Sequence, residues 1–247
     1  MSGLRLYSGA DLPKTRVSVK SFAKYFIFFL AGMQSCVTED ARPVDVGKDY
    51  LPLQKGVYQV YTVQETQYTD PLQPTELSYQ LMTEIVDSFP ATDGGYTYVI
   101  YRSTRPDESS PWEYKDTWSV HSDDQQAVVQ EGNESFIKIS FPVREGRVWN
   151  GNALNIKGED VYALKDIQQS FTLPGVTFDN TITVEQEDNQ DLIVYQDKRF
   201  EVYARDIGLV YKELIQLEYC TQPSCIGQQL VVSGLIYKQS LLTHGKK

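Results

Sequence analysis

From Val57 onward, apolar and polar positions alternate in short runs rich in Tyr, Val, Ile and Thr, the pattern of strands that bury one face. The first run is Gly56–Val63, closed by a loop holding Pro71 and Pro74. The stretch Glu76–Phe89 places Leu77, Tyr79, Leu81, Ile85 and Phe89 on one strand face, although Leu77, Leu81, Met82, Ile85, Val86 and Phe89 also trace a helical stripe. Asp93-Gly94-Gly95 and the run Tyr96–Tyr101 follow, a hairpin arrangement that favours strand. Further strands are expected at Trp112–Ser119, Ala127–Gln130, Phe136–Phe141, Arg147–Trp149 and Asp160–Leu164. Beyond a break at Leu173-Pro174-Gly175, alternation resumes at Thr181–Gln186, with a polar turn at Glu187–Asp191. Phe200–Ala204, Gly208–Tyr219 and Gln229–Leu242 complete the series, and Gly208 suits a turn with positive φ or a bulge. Around ten strands with at most one or two short helices predict an all-β, mainly antiparallel fold: a strongly curved sheet, a half-barrel, a barrel or a sandwich.

The first 35 residues break this pattern. Arg5, Lys14, Arg16, Lys20 and Lys24 oppose one acid, Asp11, and the short apolar run Tyr25–Met33 leads to Gln34-Ser35-Cys36. A basic region, a short apolar region and a small residue before the cut describe an export signal, and the run is well below the roughly 20 residues of a membrane-spanning helix. Cys36 directly behind the apolar run matches the acylated Cys of a bacterial lipoprotein. An ordinary signal with a coincidental Cys, or a membrane-proximal helix, is the alternative. The expected organisation is therefore a signal over residues 1–35, an acylated Cys36 with a tether over residues 36–49, and one β domain over residues 50–247. Glu39 and Asp40, just behind the Cys, suit a solvated tether or an export mark.

The chain's net charge is −10, and residues 1–35 hold five of its 23 bases and one of its 33 acids. The body is thus more acidic than the whole. An acidic body argues against a nucleic-acid partner and leaves membrane attachment to acyl chains rather than to a basic face. Cys220 and Cys225 flank Thr221-Gln222-Pro223-Ser224, so a disulfide pinning a hairpin is expected, with a metal pair or free thiols as alternatives.

No catalytic signature is present. His121 precedes Ser122-Asp123-Asp124 and reads as a surface turn residue, while His244 reads as part of a frayed tail; neither belongs to a nucleophile elbow or metal-binding motif. The acids Glu185, Glu187, Asp188 and Asp191 lack calcium-loop spacing. No catalytic, metal or cofactor residue is assigned. The aromatic residues are the richer signal, and Tyr96, Tyr98, Trp112 and Trp118 form a candidate interaction surface, unless they serve only cross-strand packing.

Three stretches, Tyr50–Tyr61, Glu201–Glu213 and the closing Cys220–Cys225 unit, together with Cys36, resemble a group of Bacteroidota outer-membrane lipoproteins with a curved antiparallel β-sheet domain. The resemblance implies an architecture related to curved-sheet lipid carriers and chaperones of the bacterial envelope. The expected function is a lipid-anchored outer-membrane protein, periplasmic or surface-facing. It would act as a non-enzymatic module for a lipid, another apolar ligand or an outer-membrane protein partner. The alternatives are a carboxylate-based hydrolase of envelope glycan or ester, and a structural accessory subunit of an outer-membrane complex.

Overall fold

A computed structural model describes residues 45–70, 73–92 and 94–247. The signal, Cys36 and most of the tether lie outside the described residues. Twelve strands follow a single 3₁₀ turn at Lys48–Tyr50: β1 Val57–Tyr68, β2 Thr75–Pro90, β3 Tyr96–Arg105, β4 Glu113–Ser122, β5 Gln126–Glu131, β6 Glu134–Ser140, β7 Val148–Asn150, β8 Val161–Leu173, β9 Val176–Asn189, β10 Tyr195–Ala204, β11 Gly208–Tyr219 and β12 Val231–Lys246. The helical stripe over residues 76–89 is overridden by pairing on both sides: Tyr61 opposes Leu81, and Ile85 opposes Ile100.

The strands form one antiparallel sheet in the order β6-β5-β4-β3-β2-β1-β12-β11-β10-β9-β8-β7. Its first and last strands in sequence, β1 and β12, are neighbours at its centre, so the two edges, β6 and β7, are consecutive in the chain. The edges meet. The Ile137 amide donates to the Gly151 carbonyl at 2.9 Å, and Trp149 Nε1 donates to the Ile137 carbonyl at 2.8 Å. The result is a nearly closed barrel, which leaves little unpaired edge.

Register identifies the inner face. Tyr61 and Val63 of β1 oppose Leu81 and Tyr79 of β2, and Leu241 and Gln239 of β12. Tyr203 and Glu201 of β10 oppose Ile182 and Val184 of β9, and Leu164 of β8 opposes Val184 in turn. One buried cluster joins Ala127, Ile139, Phe141, Tyr162, Leu164, Ile182, Val184 and Tyr203 with Tyr50. Tyr50 therefore fills one end of the barrel, and each fully buried aliphatic around it contributes roughly 1.5–3 kcal/mol. Arg205 holds this entry segment through ion pairs to Asp45 and Asp49, and Tyr50 Oη donates to Asn180 Oδ1.

The expected break at Leu173-Pro174-Gly175 is the β8–β9 turn, but β8 continues nine residues past its predicted end at Leu164. Beyond the Ala204–Thr181 pair, β9 no longer pairs with β10, so residues 169–180 project as a two-stranded flap. Positive φ at Asp166, Gln168 and Asn180 bends it. Phe171 on the flap lies 5.5 Å from the Tyr211 ring, which in turn lies 5.6 Å from Phe200. The flap thus covers the outer face of β10, whose residues 201–204 are all buried.

Several local expectations are corrected. Cys220 and Cys225 are bonded, with Cα atoms 5.8 Å apart, but the bond does not pin the two strands of the hairpin to each other. The Cys220 amide donates to the Leu230 carbonyl, so Leu230 is the residue across the hairpin, and the disulfide closes a small ring inside the β11–β12 loop. His121 lies near the end of β4, and His244 is paired with Gln59 in β12 and not in a frayed tail. Glu187 and Asp188 belong to β9, so the polar turn starts only after Asn189. Gly208 does adopt positive φ, 96°, beside Asp206 at 62°, and a bulge follows where Val202 pairs with Tyr211 but Tyr203 with Leu209.

Candidate functional site: a cavity with a charged floor

Above the Tyr50 plug the barrel encloses a cavity of about 380 Å³. Its wall is largely apolar: Leu81, Ile100, Val120, Val129, Leu214 and Leu235 face it, together with Trp118, Tyr61 and Tyr237. Leu51, next to the plug, bounds the closed end. Toward the opposite end Lys115 is exposed and Leu214 and Leu235 are half-buried, which makes this side the mouth. An open groove continues from the mouth over Glu65, Leu77, Tyr79, Arg105 and Tyr114.

Four charged side chains lie low in the cavity. Lys138 Nζ is 2.8 Å from Glu131 Oε1 and 3.2 Å from Glu201 Oε1, and Lys212 Nζ is 3.1 Å from the same Glu201 oxygen. Tyr203 donates its hydroxyl to Glu201 Oε2 at 2.6 Å. These charges come from β5, β6, β10 and β11, so only closure of the sheet assembles them. Lys138 reaches inward because it is the extra residue of a β-bulge: Ala127 opposes Ile139 while Val128 opposes Ile137.

The network fixes its own protonation. Burial alone would raise the Glu201 carboxyl, but Lys138 and Lys212, aided by the Tyr203 hydroxyl, hold it well below the usual carboxylate range. Burial would likewise lower Lys138, yet Glu201 and Glu131 keep its ammonium above the usual range. Glu131 follows the same balance: burial pushes it up, and Lys138 and Lys212 bring it below its ordinary value. Tyr203 is pushed well up, by burial first and then by the Glu201 charge. Glu131, Lys138 and Glu201 are therefore held in their charged forms around neutral pH, and the floor gathers two glutamates and two lysines.

Higher in the wall, Arg102 lies buried with its guanidinium carbon 3.7 Å from the Trp118 ring centroid, while Nη1 donates to both Asp116 oxygens at 3.1 and 3.0 Å. Tyr79, near the mouth, is pushed up to about 12 by burial and by the Glu65 charge.

The four aromatics expected to form one surface are separated. Trp118 faces the cavity. Tyr96 and Tyr98 pack against each other at 6.3 Å, at the end of β3 opposite the mouth. Trp112 lies outside any strand beneath Arg105, 4.3 Å away. Sequence reading missed Glu131, Lys138, Glu201 and Lys212, although Lys138 between Ile137 and Ile139, and Glu201 between Phe200 and Val202, are charges inside apolar runs. Among the described residues, no cluster of three His, Cys, Asp or Glu side chains is arranged to hold a metal ion.

The floor does bring two carboxylates together. Both touch Lys138 Nζ, so their nearest oxygens are no more than about 6 Å apart, a spacing compatible with a glycosidase pair. Such a pair needs one member kept protonated as the acid. Here both are driven toward ionisation.

No protein-family model and no curated protein matches the chain. Two crystal structures are similar to it: a protein from Bacteroides fragilis, described as exported and of YmcC-like fold, and one from Parabacteroides distasonis described as a lipoprotein. Each is 12% identical over 79% of this chain and 98% of its own, with TM-scores of 0.43 and 0.39. A likeness of this degree carries no argument about ligand or activity.

Proposed function

We propose that this chain is an exported envelope protein that holds a small amphipathic ligand inside its barrel without transforming it. The observation that carries the reading is the cavity itself: apolar wall residues above a cluster of paired charges, with one closed end and one open end, a concave site with polar groups gathered to orient a ligand. At about 380 Å³ the cavity lies near the small end of the range for small-molecule sites. A diacyl lipid is too large, so the ligand is a single short chain or a compact ring system. The apolar walls take its body, while the charged floor offers spare lysine donors to an oxygen-bearing end.

Attachment to the outer membrane through an acylated Cys36 is part of the same reading, supported by the basic leader and by a disulfide suited to an oxidising compartment. Hydrolysis is the weaker alternative. It is favoured by the closeness of Glu131 and Glu201 and disfavoured by their shared ionisation.

Native mass spectrometry of the protein purified from membranes tests the proposal. The expected result is a retained small molecule, absent from a Leu214→Trp variant in which the indole fills the mouth. A wild-type protein that carries nothing, and takes up neither octanoate nor decanoate by calorimetry after delipidation, would overturn it. Turnover of an envelope glycan or ester, abolished by Glu201→Gln, would favour the hydrolase.

A further inference from the structure

The barrel end that bears the mouth also carries an exposed aliphatic tip whose one charged residue is Asp191. Two loops build it: residues 190–194 between β9 and β10, and residues 220–230 between β11 and β12. The Tyr219 amide donates to the Val194 carbonyl at 2.8 Å, so the loops lie side by side. On them Ile193, Ile226 and Leu230 are 53%, 52% and 55% exposed, and Leu192, Val194 and Val232 add to the same surface.

Charge sets this tip apart. The protein is 23% charged, yet residues 219–237 contain no Asp, Glu, Lys, Arg or His, and neither do residues 192–196. Glu187, Asp188 and Glu218 flank the tip, and Asp191 lies at the start of its shorter loop. The longer loop is held by the Cys220–Cys225 disulfide, so presenting its apolar residues to a partner orders less chain. Tyr195, 40% exposed directly behind the tip, has the apolar body and polar end favoured at a membrane interface.

We propose that this tip inserts shallowly into an electrically neutral lipid bilayer. Entry of Ile226 and Leu230 carries no charged side chain of their own loop, and shallow entry of Ile193 leaves Asp191, whose Oδ1 accepts from the Ile193 amide at 3.0 Å, at the level of the headgroups. The acidic flank excludes anionic lipid, whose surface potential would repel it. A protein partner is less well matched, because energetically dominant contacts in protein interfaces are enriched in Trp, Tyr and Arg, whereas this tip is aliphatic with Gln, Ser, Thr and Gly around it. The chain enters the barrel at the opposite end, where Asp206 donates its amide to the Asp49 carbonyl. Tip docking does not depend on the cavity holding a ligand.

The test is flotation of the unacylated Cys36→Ala protein with phosphatidylcholine vesicles and with vesicles containing phosphatidylglycerol. The wild-type tip is expected to float with the neutral vesicles and less well with the anionic ones. The combined Ile193→Asp, Ile226→Asp and Leu230→Asp variant should lose binding by at least about tenfold, equal to 1.4 kcal/mol. Phe89→Asp, an exposed apolar site at the other end, should bind as before, and circular dichroism should show all variants folded. Absence of wild-type binding, equal binding by the tip variant, or a requirement for anionic lipid would overturn the proposal. So would wild-type dimers in solution that the tip variant abolishes, which would assign the tip to a second copy of the chain.

Discussion

Lys138 on β6 and Glu201 on β10 face each other across the barrel interior with Nζ and Oε1 3.2 Å apart, and both side chains are more than nine-tenths buried. Such a pair returns little net stability relative to apolar packing, yet breaking it strands a charge where water cannot reach. In the sheet order β6 is one edge and β10 lies eight strands away, so the pair also reports that the sheet has closed.

Replacing Lys138 by Met is therefore expected to destabilise the fold by about 3–5 kcal/mol, because Glu131 loses its lysine and Glu201 keeps only Lys212 and Tyr203. Urea unfolding measures this. Combining Lys138→Met with Glu201→Gln should recover part of the loss in a double-mutant cycle. A single-variant loss below about 1 kcal/mol would mean that water screens the network.

Stability should form a plateau in pH. Glu201 and Glu131 sit below their ordinary value of 4.5, so their contribution is complete above that value and is lost as pH falls below it. Lys138 sits above its ordinary 10.5, so its contribution is complete below that value and fades as pH rises beyond it. Thermal melts from acid to alkali should show both limbs, and Glu201→Gln should flatten the acid one. An acid limb of unchanged steepness in that variant would remove Glu201 as its source.

The Cys220–Cys225 bond closes a ring of few residues, so its loss in the Cys220→Ser/Cys225→Ser variant should cost only about 2 kcal/mol. Hydrogen exchange should quicken within residues 220–230 and stay slow along the β11–β12 ladder, which pairs Lys212 with Gln239 and Leu217 with Gly234 independently of the disulfide. Exchange that spreads along the whole ladder would show that the bond registers the strands after all.

Phe171→Ala should release the flap from Tyr211 and cost about 2–3 kcal/mol, below the range for a fully buried Phe because this ring is only partly buried. Proteolysis confined to residues 169–180 is the expected readout. Unchanged protease resistance would mean that Leu173 and Phe178 hold the flap alone.

Metabolic labelling with palmitate should mark the wild-type chain and not Cys36→Ala. Equal labelling of the two would reject acylation at that residue.

The strand pattern was legible because a half-buried strand must alternate and because Gly and Pro mark the turns between runs. Gly208 and the Leu173-Pro174-Gly175 turn were readable for the same local reason. The floor of the cavity was not. In Phe200-Glu201-Val202-Tyr203, alternation assigns the apolar Phe200 and Val202 to the core and Glu201 to solvent. The structure reverses this: the flap of β8 and β9 buries Phe200 and Val202 from outside, and Glu201 points inward to Lys138.

A period of two separates two faces but does not say which one lies inside. That choice depends on curvature, on where the edges β6 and β7 meet, and on what folds over the outer surface, all of which arise from contacts distant in sequence. Lys138 adds a second reason, since a one-residue bulge shifts its phase without leaving a mark in composition. Local chemistry thus set the strands and their turns. Closure of the sheet decided that charges from four of those strands would share a buried floor, because only there do their opposite signs offset the cost of leaving water.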